Sequence, residues 1–353
     1  MIATEPIGSI PRPAALQQAM GRLAAGELDQ AGYDAVVQDA LQDTIRRFEE
    51  TGSPVVTDGE QGKPSFATYP VHGMTDLAPD GVVIPFADGH TRQLPRLTGG
   101  PFRYRTHAAE YLARARAIAT VPVKQAVIAA SALSLLYPGE PLPGYGRDEF
   151  LADLVDEAEA DIRGALDGGA DSVQIDFTEG RLALKLDPSK TLLKSFIDLN
   201  NRVLARFGDA ERARIGLHTC PGGDQDSTHS LDVDYAELLP ELFAIDAGRF
   251  YLQLAGEADQ RRVLEVVRSS VRDGQRVFVG VTDPIAPEVE TPEQVRDRVL
   301  LAAEYVEPDR LGSCDDCGFS PFGDDTSTSR DVAFAKIRAR VEGTRLAAEK
   351  LGL

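Results

Sequence analysis

RIGLHTC (214–220), the stretch DYAELLPELFAI (234–245) and RFYLQLAG (249–256) together decide the fold. The first and last are short apolar runs of strand length. Between them apolar side chains recur three and four residues apart, the period of a helix with one buried face. Strand, helix and strand in that order imply that the two strands pair in parallel.

The same unit continues outward in both directions. Toward the C-terminus lie DQRRVLEVVRSSVRDG, RVFVGVTD (276–283), TPEQVRDRVLLAAEYV and RLGSCDDCG (310–318), where Thr291 before Pro292 and Glu293 marks a helix start. Toward the N-terminus lie SVQIDF (172–177), VKQAVIAAS (123–131) and PVVTDGE (54–60), and a first strand is expected around residues 2–9. Eight strands alternating with helices predict an α/β protein built as a single (β/α)8 TIM barrel, one catalytic domain over residues 1–353. FVGV and VQI read as continuous apolar runs, as strands covered on both faces should.

Two regions fall outside the repeat. Residues 10–52, with the run DAVVQDALQDTIRRFEETG, predict a helical N-terminal extension. Residues 61–122 are rich in Gly and Pro, and GVVIPFADGHTRQLPRL reads as a small β-hairpin around Asp88-Gly89. No internal sequence repeat or low-complexity linker is present to suggest a second domain.

Composition narrows the function. A formal charge of -19 would repel phosphate backbones, so nucleic acid is not an expected partner. No run approaches the roughly 18 apolar residues that span a bilayer, and MIATEPIGSIPRP lacks the charged and apolar regions of a signal peptide, so a cytoplasmic protein without a membrane partner is expected. Three cysteines in 353 residues do not make a disulfide framework. Oligomeric state is not set by any of these features.

In barrels of this kind the chemistry sits at the C-terminal ends of the strands. Glu60, Asp176, His218, Cys220, Asp283 and Cys317 all fall there. Alone, each carboxylate reads equally well as a helix cap or a loop ion pair. His218 and Cys220 are two residues apart on a strand, so they face the same way and can grip one ion, and a second strand can bring in Cys317. Imidazole and thiolate are ligands that zinc prefers, and three protein ligands with one open position is its catalytic arrangement. Spacing alone also allows a closed structural site that includes Cys314, or three cysteines packed as small hydrophobes. His229, in a polar loop, is expected at the surface, and His72, His90 and His107 carry no assigned role. There is no phosphate-binding glycine loop, GxSxG elbow or HExxH helix.

These residues resemble the catalytic barrel of the cobalamin-independent methionine synthase family, within a zinc-dependent superfamily that includes the epoxyalkane:coenzyme M transferases. The matching pieces are Ile7-Gly8-Ser9-Ile10-Pro11-Arg12, Asp58-Gly59-Glu60, Val173-Gln174-Ile175-Asp176, His218-Thr219-Cys220, Gly280-Val281-Thr282-Asp283 and Asp316-Cys317-Gly318. The resemblance implies a zinc cofactor on His218, Cys220 and Cys317, and a small thiol, homocysteine, held by Ile7, Ser9, Glu60 and Asp176. It implies a catalytic role for Asp283 and transfer of a methyl group from a small-molecule or corrinoid-bound alkyl donor.

Departures from the family pattern are also legible. Gln253 stands where the synthase has a further glutamate ligand, which leaves Gln253, Glu257, Cys314, water or substrate as the fourth ligand. Ile285 replaces a histidine implicated in proton transfer. Asp176-Phe177-Thr178-Glu179 replaces Asp-Glu-Pro, and there is no tryptophan. The alternatives carried with methyl transfer are epoxide opening by a thiol of the coenzyme M type and a non-catalytic zinc- or thiol-binding barrel.

Overall fold

The computed structural model describes residues 2–353. Seven strands form one sheet: β1 (Ala3–Thr4), β2 (Gln125–Ile128), β3 (Val173–Asp176), β4 (Ile215–Thr219), β5 (Arg249–Leu252), β6 (Arg276–Thr282) and β7 (Leu311–Asp315). Their spatial order is β1-β7-β6-β5-β4-β3-β2 and every pairing is parallel. This is the expected (β/α)8 TIM barrel, with one strand reduced to a stub.

That stub is PVVTDGE, expected as a full strand. Val56 makes a single parallel bridge to Val123 on one side. On the other, Thr57 Oγ1 donates to the Gly8 carbonyl at 2.8 Å and Ile10 N to the Gly59 carbonyl at 3.0 Å, which closes the ring. The segment stops pairing because Gly59 and Glu60 both take left-handed backbone angles, φ 62° and 55°. A strand cannot continue through two such residues.

The intervening helices follow the sequence periodicity: Arg147–Asp167, Tyr235–Leu242, Gln260–Ser270 and Pro292–Ala303. The last opens on a reciprocal cap in which Thr291 Oγ1 accepts from Gln294 N while Gln294 Oε1 accepts from Thr291 N. The N-terminal extension is helical over Ala14–Ala24 and Gln30–Glu50. No helix among the described residues is long and apolar enough to cross a membrane.

The barrel interior is more polar than the apolar strand runs suggest. Lys124 Nζ donates to Gln174 Oε1 at 2.8 Å, sits 4.0 Å from the Tyr251 ring centre and 3.7 Å from Glu5 Oε2, and Tyr251 OH donates to the same Glu5 oxygen at 2.6 Å. Each polar group is therefore answered by another, the condition for burying such groups. Gly216 and Gly312 make room for the rings beside them, since a Cβ there would lie 2.5 Å from Tyr251 and 2.3 Å from Phe278.

The expected hairpin pairs Val83–Pro85 with Thr91–Gln93, Ile84 opposite Arg92. It lies across the barrel mouth. Arg92 grips buried Asp224 through Nε at 2.5 Å and Asp324 through both terminal nitrogens at 2.9 Å, while His90 Nε2 reaches Asp224 Oδ2 at 3.1 Å.

Candidate metal centre

β4 carries His218 near its end, and Cys220 follows the last strand residue, so the two share a side as the strand alternation requires. Cys317 arrives two residues after β7. The donor atoms of the three all lie within 4.8 Å of one another, and the two sulfurs are 3.0 Å apart. No other group of three metal-capable side chains converges in this way among the described residues.

Both ring nitrogens of His218 are buried and have no hydrogen-bond partner. A buried polar group left unsatisfied costs about 1–3 kcal/mol, so two on one ring mark a site built to bind something. The neighbouring Cys220 thiol and burial push the Cys317 thiol well above the ordinary range. One imidazole and two thiols form the soft donor set of a zinc site, and an ion there would occupy a ring nitrogen that no protein group satisfies.

The candidates for a fourth ligand separate. Cys314 is outside the group: it is fully buried inside the barrel against Ile7, Tyr251 and Phe278, and its thiol faces the Phe278 carbonyl. Glu257 is taken by an ion pair with buried Arg181 at 2.7 Å. Gln253 lines a small side cavity together with Cys317, Asp283 and Asp316.

A cavity of about 460 Å³ opens beside the cluster, and Ile7, Ser9, Glu60, Asp176, His218 and Cys317 all line it. Its roof is the hairpin, through Ile84, Phe86 and Arg92. Asp283 is not on this wall; it reaches Cys317 only through the side cavity, with its carboxylate accepting from Ile285 N at 3.0 Å. The expected site residues are thus divided between two adjoining spaces.

The turn carrying Ile7 and Ser9 packs onto the turn carrying Cys317. A Cβ on Gly318 would lie 2.1 Å from Ser9 Oγ, so only glycine admits the contact. Arg12 locks the Glu60 turn from below, donating to the carbonyls of Glu60 at 2.8 Å and Lys63 at 3.0 Å. Glu60 itself pairs with Lys63 at 3.1 Å, both side chains buried. Burial, opposed by Lys63, raises the Glu60 carboxyl, and burial, opposed by His218, raises Asp176. Asp176 accepts from Gln174 Nε2 at 2.7 Å and has no basic side chain in an ion pair with it among the described residues.

Four contributors have no role assigned from the sequence. Lys63 supplies the counter-charge to Glu60. Asp316 takes three backbone amides of the β5 exit, Leu254, Ala255 and Gly256, at 2.8, 2.9 and 2.6 Å, and burial pushes its carboxyl up to about 7. Gly280 makes that possible, since a Cβ there would fall 1.8 Å from Asp316 Oδ1. Glu179 lines the main cavity. His229, expected at the surface, is buried on the cavity wall against Gly222, and burial lowers it to about 4. Adjacency to Glu60 was the one signal for Lys63; Asp316 stands in a piece that carries the family resemblance and Glu179 in one that departs from it, neither with a role assigned; His229 had no signal.

Residues 1–341 match the family described as "Cobalamin-independent synthase, Catalytic domain". Among similar proteins is a "Methionine synthase" of Thermococcus kodakarensis, 22% identical over 99% of this chain and 95% of its own length. Another is a "5-methyltetrahydropteroyltriglutamate--homocysteine methyltransferase" of Mycolicibacterium paratuberculosis, 24% identical over 90% of this chain but only 40% of its own length. A solved structure of a B12-independent methionine synthase from Shewanella sp. W3-18-1, in complex with selenomethionine, superposes with a TM-score of 0.78 at 19% identity, covering 99% of this chain and 98% of that one.

Proposed function

Because the chain belongs to the family of cobalamin-independent synthase catalytic domains, we propose that it is a methyltransferase acting on a small thiol, converting homocysteine to methionine, with zinc on His218, Cys220 and Cys317. The observation that carries this is the convergence of those three donors at the edge of a cavity that also holds Glu60 and Asp176. Zinc bound there would stabilise the thiolate of an incoming thiol at neutral pH, where a free thiol of pKa near 8.5 is only a few per cent ionised.

The chain's own residues do the rest. An amino-acid thiol brings an ammonium group, and a buried ammonium requires carboxylate partners. Glu60 and Asp176 are two of the carboxylates that line the cavity, and Asp176 pairs in register with His218 on the neighbouring strand. Glu60 is already matched by Lys63, whereas Asp176 has no such partner, so the pair accepts one further positive charge without leaving an unbalanced anion. Ser9 and the backbone at Ile7 line the same cavity beside the Cys317 turn and would receive the carboxylate. With the thiol held at both ends, its sulfur attacks the methyl carbon; the S–C bond forms as the bond to the donor breaks, and the electron pair leaves with the donor. Positioning of this kind supplies much of the acceleration in a displacement between two bound molecules.

Asp283 is assigned a supporting acid–base role on the side-cavity face of Cys317. The family description, cobalamin-independent, gives no support to a corrinoid-bound donor.

The test is direct. Zinc-loaded protein is incubated with L-homocysteine and, separately, methyl-folates carrying one or three glutamates, methylcobalamin and simple epoxides, with methionine and thioethers measured by mass spectrometry. Methionine from a methyl donor is the expected product. Thioether from epoxides alone would move the protein to the epoxide-opening class, and no product from any donor with zinc bound would overturn the proposal.

A further inference from the structure

Asp176 ends a chain of hydrogen bonds that crosses the barrel interior. Gln174 and Asp176 stand two residues apart on β3, so their side chains share a face. Gln174 Nε2 donates to Asp176 Oδ1 at 2.7 Å, and Lys124 Nζ donates to Gln174 Oε1 at 2.8 Å. All three residues are buried. The shortest polar contact of Lys124 is with this amide; Glu5 Oε2, its counter-charge, lies 3.7 Å away and Glu5 is itself paired with Arg249 at 2.9 Å.

The two ends of the chain fix the direction of the Gln174 amide. An ammonium has no lone pair and can only donate, so the amide oxygen must face Lys124 and the NH2 group must face Asp176. Reversal would set NH2 against the ammonium and oxygen against the carboxylate, two repulsive contacts between buried groups. Glu60 supplies the contrast: its carboxylate is held by Lys63, a cation that cancels its charge. Asp176 is held by a neutral amide, which orients the carboxylate and leaves its charge in place. The amide takes Oδ1. Oδ2 has no donor among the described residues and is not sealed from the cavity that Asp176 lines.

We propose that Gln174, its amide locked by Lys124, is a positioning residue for the thiol substrate: it holds one oxygen of Asp176 and leaves the other, with the full negative charge, for the substrate's ammonium. The inference rests on the reading above of Asp176 as part of an amino-acid thiol site. It also accounts for the residue type at 174. An alkyl side chain there would leave Asp176 free to turn, a cation would neutralise it, and a second carboxylate would repel it. A primary amide, donor at one end and acceptor at the other, passes the direction of the Lys124 bond to Asp176 without passing on the charge. Lys124 thus acts at two removes from the cavity, through Gln174 and then Asp176.

The experiment measures Kd by isothermal titration calorimetry for L-homocysteine and for 4-mercaptobutyrate, the same thiol acid without its amino group. The proteins are zinc-loaded wild type, Gln174→Met, Lys124→Met, Asp176→Asn and the double variant Gln174→Met with Asp176→Asn, each checked for zinc content and thermal midpoint. Wild type should bind homocysteine the more tightly. Gln174→Met should weaken homocysteine about 10-fold, as expected for coupled neighbours, and leave 4-mercaptobutyrate within about twofold. In the Asp176→Asn background the same substitution should change homocysteine binding by no more than about twofold, because its effect runs through Asp176. Lys124→Met should show a smaller loss with the same selectivity for homocysteine. Homocysteine bound by Gln174→Met as tightly as by wild type, both thiols weakened alike, or losses from Gln174→Met and Asp176→Asn that simply add, overturns this inference alone. Wild type that binds neither thiol, or homocysteine no more tightly than 4-mercaptobutyrate, overturns the reading of the thiol site and this inference with it.

Discussion

Cys220 Sγ and Cys317 Sγ stand 3.0 Å apart although 97 residues separate them in the chain. The closure of the barrel brings them there: β4 and β7 are separated in the sheet by β5 and β6, and both strands deliver their exits to the same mouth. Cys314, on the same strand as the approach to Cys317, is turned into the barrel instead. The distinction between the two cysteines of the Cys-Asp-Asp-Cys run is therefore one of side, not of distance along the chain.

Metal analysis should reproduce that distinction. His218→Asn, Cys220→Ser and Cys317→Ala are expected to bind zinc below one equivalent per chain after dialysis, and Cys314→Ala to retain it. The Cys314 variant should instead lose roughly 1–2 kcal/mol of stability from the small void it leaves. Zinc lost as completely from Cys314→Ala as from Cys317→Ala would show that the ion is held by four protein ligands.

The hairpin over the mouth is held by Arg92 on two carboxylates, one of them fully buried. Arg92→Ala removes both pairings and leaves Asp224 with His90 alone. An under-satisfied buried polar group costs about 1–3 kcal/mol, most of which should appear as detachment of the hairpin. Limited proteolysis between residues 82 and 93 should quicken, and KM for the substrates should rise more than kcat falls. An unchanged cleavage rate would show that Arg92 does not hold the hairpin down.

Where the sequence was legible, one chain segment sufficed to read it. The strand–helix period, the hairpin at Asp88-Gly89 and the cap at Thr291 each depend on neighbours within a few residues, and each appears in the structure. Strand alternation put His218 and Cys220 on one side. What stayed hidden depends on packing between distant segments. PVVTDGE has strand composition, but its pairing ends at the left-handed Gly59 and Glu60, a turn held by Arg12 from another part of the chain. Lys63, Asp316 and Glu179 are ordinary charged residues in the sequence and acquire roles only from what surrounds them. His229 sits in a polar loop whose composition reads as surface, yet the loop folds back on Gly222 and beneath Phe86 of the hairpin. Asp283 had the right position at a strand end, and the structure sets it on the far side of Cys317 from the main cavity.

His229 also makes a pH prediction. Its folded pKa is lowered to about 4 by burial, from 6.5. Between these values the unfolded chain binds a proton that the folded chain does not, so stability rises with pH across that interval. The contribution is fully present above about 6.5, declines as pH falls, and is lost by about 4; at roughly 1.4 kcal/mol per unit it amounts to about 3 kcal/mol. Urea denaturation of wild type and His229→Gln across this range should show a steeper fall for the wild type. Parallel curves would mean that the imidazole protonates in place.

Glu60 and Asp176 face the same cavity, but their substitutions should not behave alike. Glu60→Gln leaves the Lys63 ammonium buried without its counter-charge, with an amide oxygen, the Ala126 carbonyl and the Tyr69 ring as its neutral partners. Removing one member of a buried ion pair costs about 3–5 kcal/mol, so this variant should lose stability along with thiol binding. Asp176→Asn breaks no ion pair and keeps an oxygen able to accept from Gln174 Nε2. Its stability should stay within about 1 kcal/mol of wild type, while losing a charge-assisted bond to the thiol's ammonium, worth about 1.5–3 kcal/mol, should raise KM for homocysteine roughly 10- to 100-fold. Asp176→Asn is therefore the cleaner probe of the thiol site. A KM for homocysteine unchanged in Asp176→Asn, with the protein folded and zinc bound, would place the ammonium elsewhere, whatever Glu60→Gln does.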